Sequence, residues 1–229
     1  MGGMPAWEKV AGHFVRAAGG LSARTVILLP GGLRTIQSLP DYTGPLRRLG
    51  LTGAEGIFPE KSKDLDLERA VRHIQKADGI LAGGGPTPVY QQMFATDPLL
   101  TLIRNRYENG APYAGLSAGA LIAPAKNVYS EGEIDGADLK VFSGLGLVGG
   151  FIVDVHFTER RRLPSMLEAM AMTGVFQGWG VDEGACAVFR DGAFAGIIGR
   201  GVYQVELTSL KTKKHKIAEA TKEYKERPL

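Results

Sequence analysis

Apolar residues recur at helical spacing between Ala6 and Ala18, at Trp7, Val10, Ala11, Phe14 and Val15, and Gly19-Gly20 supplies the stop that follows many helices. The next segment, Arg24 to Pro30, reads RTVILLP. It is continuously apolar instead of alternating, the pattern of a strand covered on both faces and hence of a parallel sheet. The two textures then take turns. Helical patterns over Asp41 to Leu49 and Asp66 to Lys76 precede short apolar strands at Gly56-Ile57-Phe58 and Gly79 to Ala82, and helices over Pro88 to Phe94 and Pro98 to Glu108 precede a strand at Pro112 to Gly115. This alternation predicts an α/β fold with a doubly wound, mostly parallel sheet in a three-layer sandwich.

Past Ser117 the pattern changes. Ala118 to Ala123 reads as the start of a helix, and Asn127 to Gly150 is glycine-rich and irregular. A strand is expected at Phe151 to Val155, then a helix over Thr158 to Met172 with Arg160, Arg161 and Arg162 in its first turn. Strands are expected at Gly180-Val181, Ala185 to Phe189, Ala193 to Ile198 and Val202 to Leu207, with Asp191-Gly192 as a hairpin turn. No linker divides the chain, so residues 1–229 read as one domain ending in a basic stretch, 211–229, expected as a solvated helix or tail. Because the chain opens on a helix, a sheet of this type is expected to lack its usual first strand or to have only a stub at Gly2-Gly3, and the edge so exposed favours a homodimer.

Composition narrows the class. With 44% hydrophobic and 22% charged residues the chain can bury a core, which excludes a disordered or fibrous protein. The 27 basic and 24 acidic side chains leave a net charge of only +3, and much of that excess sits at Lys211, Lys213, Lys214 and Lys216 without interleaved aromatics, so a nucleic-acid partner is not expected. The lone Cys186, flanked by Ala185, Ala187, Val188 and Phe189, suits a buried strand position in a reducing compartment. Neither a leader pattern at the N-terminus nor an apolar window of membrane-spanning length is present, so a cytoplasmic protein without a membrane partner is expected. Glycine, at 32 residues, is about twice as frequent as usual. It clusters in short runs between apolar segments, where a turn or a close backbone approach would need it.

The run Gly115-Leu116-Ser117-Ala118-Gly119 matches G-x-S-x-G, in which small neighbours let a serine occupy a tight strand-to-helix turn. So short a motif arises by chance in a glycine-rich chain, but here a buried strand precedes it and a helix follows, offering free N–H groups to an oxyanion. Of the four histidines, His13 and His73 lie in amphipathic surface helices and His215 in the lysine-rich tail. His156 ends the strand FIVDV, at the edge where open α/β sheets place their sites, and is the candidate base. The acid orienting it stays open among Asp154, the group Glu131, Glu133, Asp135 and Asp138, and the pair Asp182-Glu183; Asp154 is awkwardly close to its i+2 neighbour. Gly83-Gly84-Gly85 is the candidate second source of oxyanion donors. The following Pro86-Thr87-Pro88 lacks the Gly-Lys-Ser/Thr of a phosphate loop.

Four blocks together, LAGGG, GLSAGA, DVHFTERRRL and GVDEGACAVF, resemble the cyanophycinase and aspartyl dipeptidase (peptidase E) family of serine peptidases, in order and at compatible spacing. The resemblance implies a class I glutamine amidotransferase-like, flavodoxin-like sandwich. It also implies a triad of Ser117 as nucleophile, His156 as base and then acid, and Glu183 as the group orienting the histidine. Backbone N–H groups of Gly85 and Ala118 would form the oxyanion hole. Asp154, Arg160 and Arg162 match the substrate-binding histidine block of the cyanophycinase branch, with Gly84 and Thr87 beside the oxyanion loop. Guanidinium groups there suit a substrate carboxylate. Val155 stands where that branch has glutamine, Ser165 where it has a third arginine, and GGGPT is similar to the glycine block of aspartyl dipeptidase. The implied activity is hydrolysis of a peptide or isopeptide bond next to aspartate in a small peptide, through an acyl-enzyme, with no metal and no cofactor. The rival readings are an esterase or amidase acting on another small carboxylated substrate, and a non-catalytic binding protein on the same scaffold.

Overall fold

The computed structural model describes residues 1–59, 65–130 and 139–226. Its first half alternates as the apolar pattern predicts: α1 (Met4–Ala17), β1 (Thr25–Leu28), α2 (Leu33–Arg48), β2 (Ala54–Ile57), α3 (Leu67–Gln75), β3 (Gly79–Ala82), α4 (Thr87–Phe94), α5 (Leu99–Glu108), β4 (Tyr113–Gly115) and the single turn α6 (Ala118–Leu121). The four strands form a parallel sheet in the order β2-β1-β3-β4. The continuous apolar run around β1 has a direct explanation. Ile27 and Leu29 face a core layer with Trp7 and Phe14 of α1 and Leu46 of α2, while Val26 and Leu28 face Ile74, Phe94 and Ile103 from α3, α4 and α5. A strand with a helix layer on each side has no polar face to show.

The second half contains β5 (Lys126–Ser130), β6 (Leu139–Ser143), β7 (Ile152–Val155), α7 (Leu163–Thr173), β8 (Gln177–Val181), β9 (Cys186–Arg190), β10 (Ala193–Ile198), β11 (Val202–Leu207) and β12 (His215–Glu219). A second sheet runs β12-β11-β8-β7, parallel between β7 and β8 and antiparallel beyond. β9 and β10 pair across the predicted Asp191-Gly192 turn, whose positive φ values of 52° and 75° are those of a hairpin turn matched to strand twist.

Four expectations are corrected. The segment 127–150 is not simply irregular, since β5 and β6 pair antiparallel through five residue pairs. The helix expected from Asp41 begins at Leu33 and carries Pro40 and Pro45 inside it. Burial of Tyr42 and Leu46 against the core outweighs the breakers there. The helix expected from Thr158 begins at Leu163, with Pro164 in its first turn where the absent N–H costs nothing. Residues 157–161 instead form a turn and Arg162 caps α7, so the three arginines precede the helix. Finally, the basic tail is no helix: His215–Glu219 adds an edge strand to β11. All five of its residues are exposed, and its charges suit an edge that should not pair further.

Met1–Gly3 form no strand, and Gly3 caps α1, but the first two residues still make backbone hydrogen bonds to strand ends. The Met1 ammonium donates to the Gly115 carbonyl at 2.8 Å, the Ser117 N–H donates to the Met1 carbonyl at 3.1 Å, and the Gly2 N–H donates to the Ala185 carbonyl at 3.2 Å. Met1 and Gly2 thus bridge the end of β4 to the start of β9. Gly2 is required there, because a Cβ would sit 2.7 Å from the Val181 carbonyl oxygen and closer still to that of Asp182. Below the bridge a cavity of about 630 Å³ opens between β4 and β9, lined by Phe14, Ala114, Val153, Trp179 and Val188 among others.

Candidate active site

Ser117 follows β4 at φ 51° and ψ −114°, a strained conformation that turns the chain sharply into α6. The flanking glycines make the turn possible. A Cβ on Gly115 would lie 2.5 Å from the Gly119 carbonyl oxygen, and one on Gly119 would overlap the Ala82 carbonyl of the neighbouring strand. His156 leaves the end of β7 with φ 52°, and Glu183 lies in the turn after β8. The two strands are adjacent and parallel, so both side chains emerge at one edge.

There the three side chains form a line. The Ser117 hydroxyl lies 3.0 Å from His156 Nε2, and His156 Nδ1 lies 3.0 Å from Glu183 Oε1. The histidine side chain is 14% exposed and that of the glutamate 48%. Of the acids left open by sequence, Glu183 meets the imidazole; Glu131, Glu133, Asp135 and Asp138 lie outside the described residues. Asp182 turns instead to the histidine loop, accepting from the Thr158 N–H at 2.8 Å and the Thr158 hydroxyl at 2.8 Å. The Glu159 carboxylate answers by accepting from the Glu183 N–H at 3.0 Å. These crossed bonds tie the histidine loop to the glutamate loop. Nothing in the spacing of the four residues signalled this, although TER and VDE stood in two of the blocks already noted.

The backbone of Gly85 and Ala118 offers N–H groups that donate to no acceptor among the described residues. Gly85 is exposed at φ 147°, a region that L side chains rarely adopt, and Ala118 opens α6. Since α6 is one turn long, these individual N–H groups matter more than any helix macrodipole. Gly84 packs against the serine, where a Cβ would stand 3.5 Å from Ser117 Cβ. Thr87, at the start of α4, is buried.

The substrate-binding candidates divide. Asp154 is buried beneath the site and accepts from Arg162 Nε at 3.2 and 3.3 Å and from the Val155 N–H at 2.9 Å. Desolvation pushes its carboxyl up to about 6 despite the adjacent guanidinium groups of Arg162 and Arg160. Its oxygens are thus engaged by Arg162 and by the Val155 N–H. Arg160 is exposed. Val155 and Ser165, the departures from the cyanophycinase branch, are both buried, and the Ser165 hydroxyl donates to the Arg162 carbonyl. Cys186 is buried, and desolvation raises its thiol pKa. His13 pairs with Glu226, away from the serine. No group of three or more His, Cys, Asp or Glu among the described residues is placed to hold a metal ion. No helix among them is long and apolar enough to cross a membrane.

The family model for peptidase family S51 matches residues 3–197, which takes in the elbow, both loops and the glycine run. The chain belongs to peptidase family S51. Among curated members, it is similar to cyanophycinase of Synechococcus elongatus, 27% identical over 208 residues that cover 85% of this chain and 63% of that protein. Cyanophycinase of Nostoc sp. is 30% identical over 187 residues, covering 80% and 63%, and peptidase E of Shewanella amazonensis is 30% identical over 135 residues, covering 55% and 56%. The chain thus spans somewhat under two thirds of the length of these S51 relatives. Among solved structures, a peptidase from an acI-B1 Actinobacterium superposes with a TM-score of 0.68 at 19% identity, covering 87% of this chain and 84% of that one. The fold is shared with it: a mostly parallel sheet between helix layers, flavodoxin-like.

Proposed function

We propose that this S51 member is a serine peptidase that hydrolyses a peptide or isopeptide bond next to an aspartyl residue in small peptides. The observation that carries the proposal is the line Ser117–His156–Glu183, with 3.0 Å at each step. His156 Nε2 accepts the Ser117 proton as Oγ attacks the scissile carbonyl carbon, and Glu183, accepting the Nδ1–H, holds the tautomer that makes Nε2 the base. The tetrahedral oxyanion is received by the Gly85 and Ala118 N–H groups. Collapse expels the amine, which takes the proton from His156, and leaves an ester on Ser117. Water, deprotonated by His156, hydrolyses that ester and restores the serine.

Arg160 and Arg162 supply cationic charge for the aspartyl carboxylate, Arg162 being held from below by Asp154. Gly84 and Thr87 border the path from the oxyanion loop to the substrate. Because Val155 and Ser165 are buried and place neither an amide nor a third guanidinium at the site, a β-aspartyl-arginine substrate of the cyanophycin type is the less favoured choice. The test is a panel of α-Asp-X, β-Asp-Arg and β-Asp-Lys dipeptides assayed with wild type and Ser117→Ala. Cleavage of at least one aspartyl peptide that falls at least 10³-fold in the variant is expected; unchanged cleavage would remove Ser117 as nucleophile.

A further inference from the structure

The glycine loop that carries the Gly85 N–H is held by two tyrosines, neither of which takes part in the proposed proton transfers. Tyr42 comes from α2 and is 5% exposed; Tyr90 comes from α4 and is fully buried. The Gly84 N–H donates to the Tyr42 hydroxyl at 2.9 Å. The Tyr90 hydroxyl donates to the Gly84 carbonyl at 3.1 Å and shares its proton with the Leu28 carbonyl at 3.2 Å. The preceding residue is fixed as well, since the Gly83 N–H donates to Leu28 and its carbonyl accepts from the Gly119 N–H, each at 3.0 Å. A Cβ on Gly83 would lie 2.9 Å from the Tyr42 ring, so the ring packs directly on this backbone.

The peptide between Gly84 and Gly85 is planar and trans, so the Gly84 carbonyl and the Gly85 N–H point in opposite directions. Whatever holds the carbonyl therefore aims the N–H. Two consecutive glycines also give this peptide the least resistance to flipping, a rotation that would exchange the N–H for a carbonyl oxygen. A carbonyl oxygen facing a developing oxyanion would repel it.

We infer that Tyr42 and Tyr90 are positioning residues that lock the Gly84–Gly85 peptide from both ends, so that the Gly85 N–H stays presented as an oxyanion donor. The inference rests on the serine-hydrolase reading of the site. Tyr90 sets the orientation by holding the carbonyl, and Tyr42 keeps Gly84 from following a flip. Each acts through a hydroxyl, and the rings fill core space that phenylalanine would fill equally.

The test uses Tyr90→Phe and Tyr42→Phe in the whole chain, with a fluorophosphonate probe whose phosphoryl oxygen needs the same donors. The second-order rate of labelling is expected to fall about 10-fold or more in Tyr90→Phe and by a smaller factor in Tyr42→Phe. On a cleaved dipeptide kcat should fall in step while KM stays within about twofold, a split that general loosening of the fold would not produce. Labelling within twofold of wild type in both variants, or a loss confined to KM, would overturn the inference. Should Tyr90→Phe not fold, Tyr42→Phe carries the decision alone. Ser117→Ala separates the two readings. If it still labels, the nucleophile assignment has failed; if it does not label and both phenylalanine variants label normally, only the clamp has failed.

Discussion

At the residue scale, Glu183 carries the clearest chemical demand. Its carboxylate accepts from His156 at 3.0 Å although its own side chain is half exposed, so its contribution is orientation more than a strong ion pair. Glu183→Gln keeps the shape but presents an amide that can donate to Nδ1, which favours the tautomer with Nε2 protonated and unable to accept from Ser117. The expected result is a fall in kcat of about 10²-fold or more with KM little changed, and slower fluorophosphonate labelling at neutral pH. A variant within threefold of wild type would show that Glu183 does not set the tautomer. Ser117 and His156 were legible because the elbow needs glycines at fixed offsets and because histidine is scarce. The choice among acids was not legible from residue types alone, since it depends on which strand lies beside β7, and only the family resemblance singled out Glu183. Tyr42 and Tyr90 left no local trace: in sequence they are two aromatics on the inner faces of helices, indistinguishable from core.

At the element scale, the site depends on two turns that follow neighbouring strands. The turn after β7 carries His156 and the turn after β8 carries Glu183, and Asp182 couples them through its two bonds to Thr158. Asp182→Ala would leave the Thr158 N–H and hydroxyl without that partner and remove one of the two ties between the loops. A loss of about 2 kcal/mol is expected for hydrogen bonds to a charged group in a half-buried setting, together with a roughly 10-fold fall in kcat, measured by urea denaturation and dipeptide hydrolysis. Unchanged activity in a destabilised protein would show that the ties hold the fold but not the catalytic geometry. The strands were read well in the first half, where continuous apolar runs leave one interpretation. The failures have a common cause, because the 211–229 segment, the prolines of α2 and the arginine turn are all decided by what lies next to them. An open edge on β11 made a strand of a lysine-rich stretch whose own composition suited a solvated helix. Capture of Thr158 by Asp182 kept the arginines out of α7.

At the scale of the molecule, Ser117 follows a strand of one four-stranded sheet while His156 and Glu183 follow strands of another, so the proposed triad sits on the seam between them. The charge buried beside that seam should make stability depend on pH in an unusual direction. Asp154 is desolvated, and its carboxyl stands at about 6 in the folded protein against an ordinary 3.8. Between pH of about 4 and 6 the folded state therefore holds a proton that the unfolded chain has lost, so this group's contribution is fully present below that window and declines as pH rises through it. Carboxylates with lowered values, such as Asp78 beside Arg24 and Glu226 beside Arg16, contribute with the opposite sign, so the total curve alone would hide the effect. The comparison with Asp154→Asn isolates it, because the amide keeps a neutral acceptor for Arg162 and cannot titrate. Urea midpoints at pH 4, 5, 6 and 7 should show the stability of wild type relative to the variant falling across the window and levelling above it. A difference that is flat or that grows with pH would mean that the charge of Arg162 outweighs desolvation. With the expected sign, the fold bears a cost at neutral pH to keep an ionised carboxylate under Arg162, and on the proposed aspartyl-peptidase reading the return is a guanidinium held in one place for a substrate carboxylate.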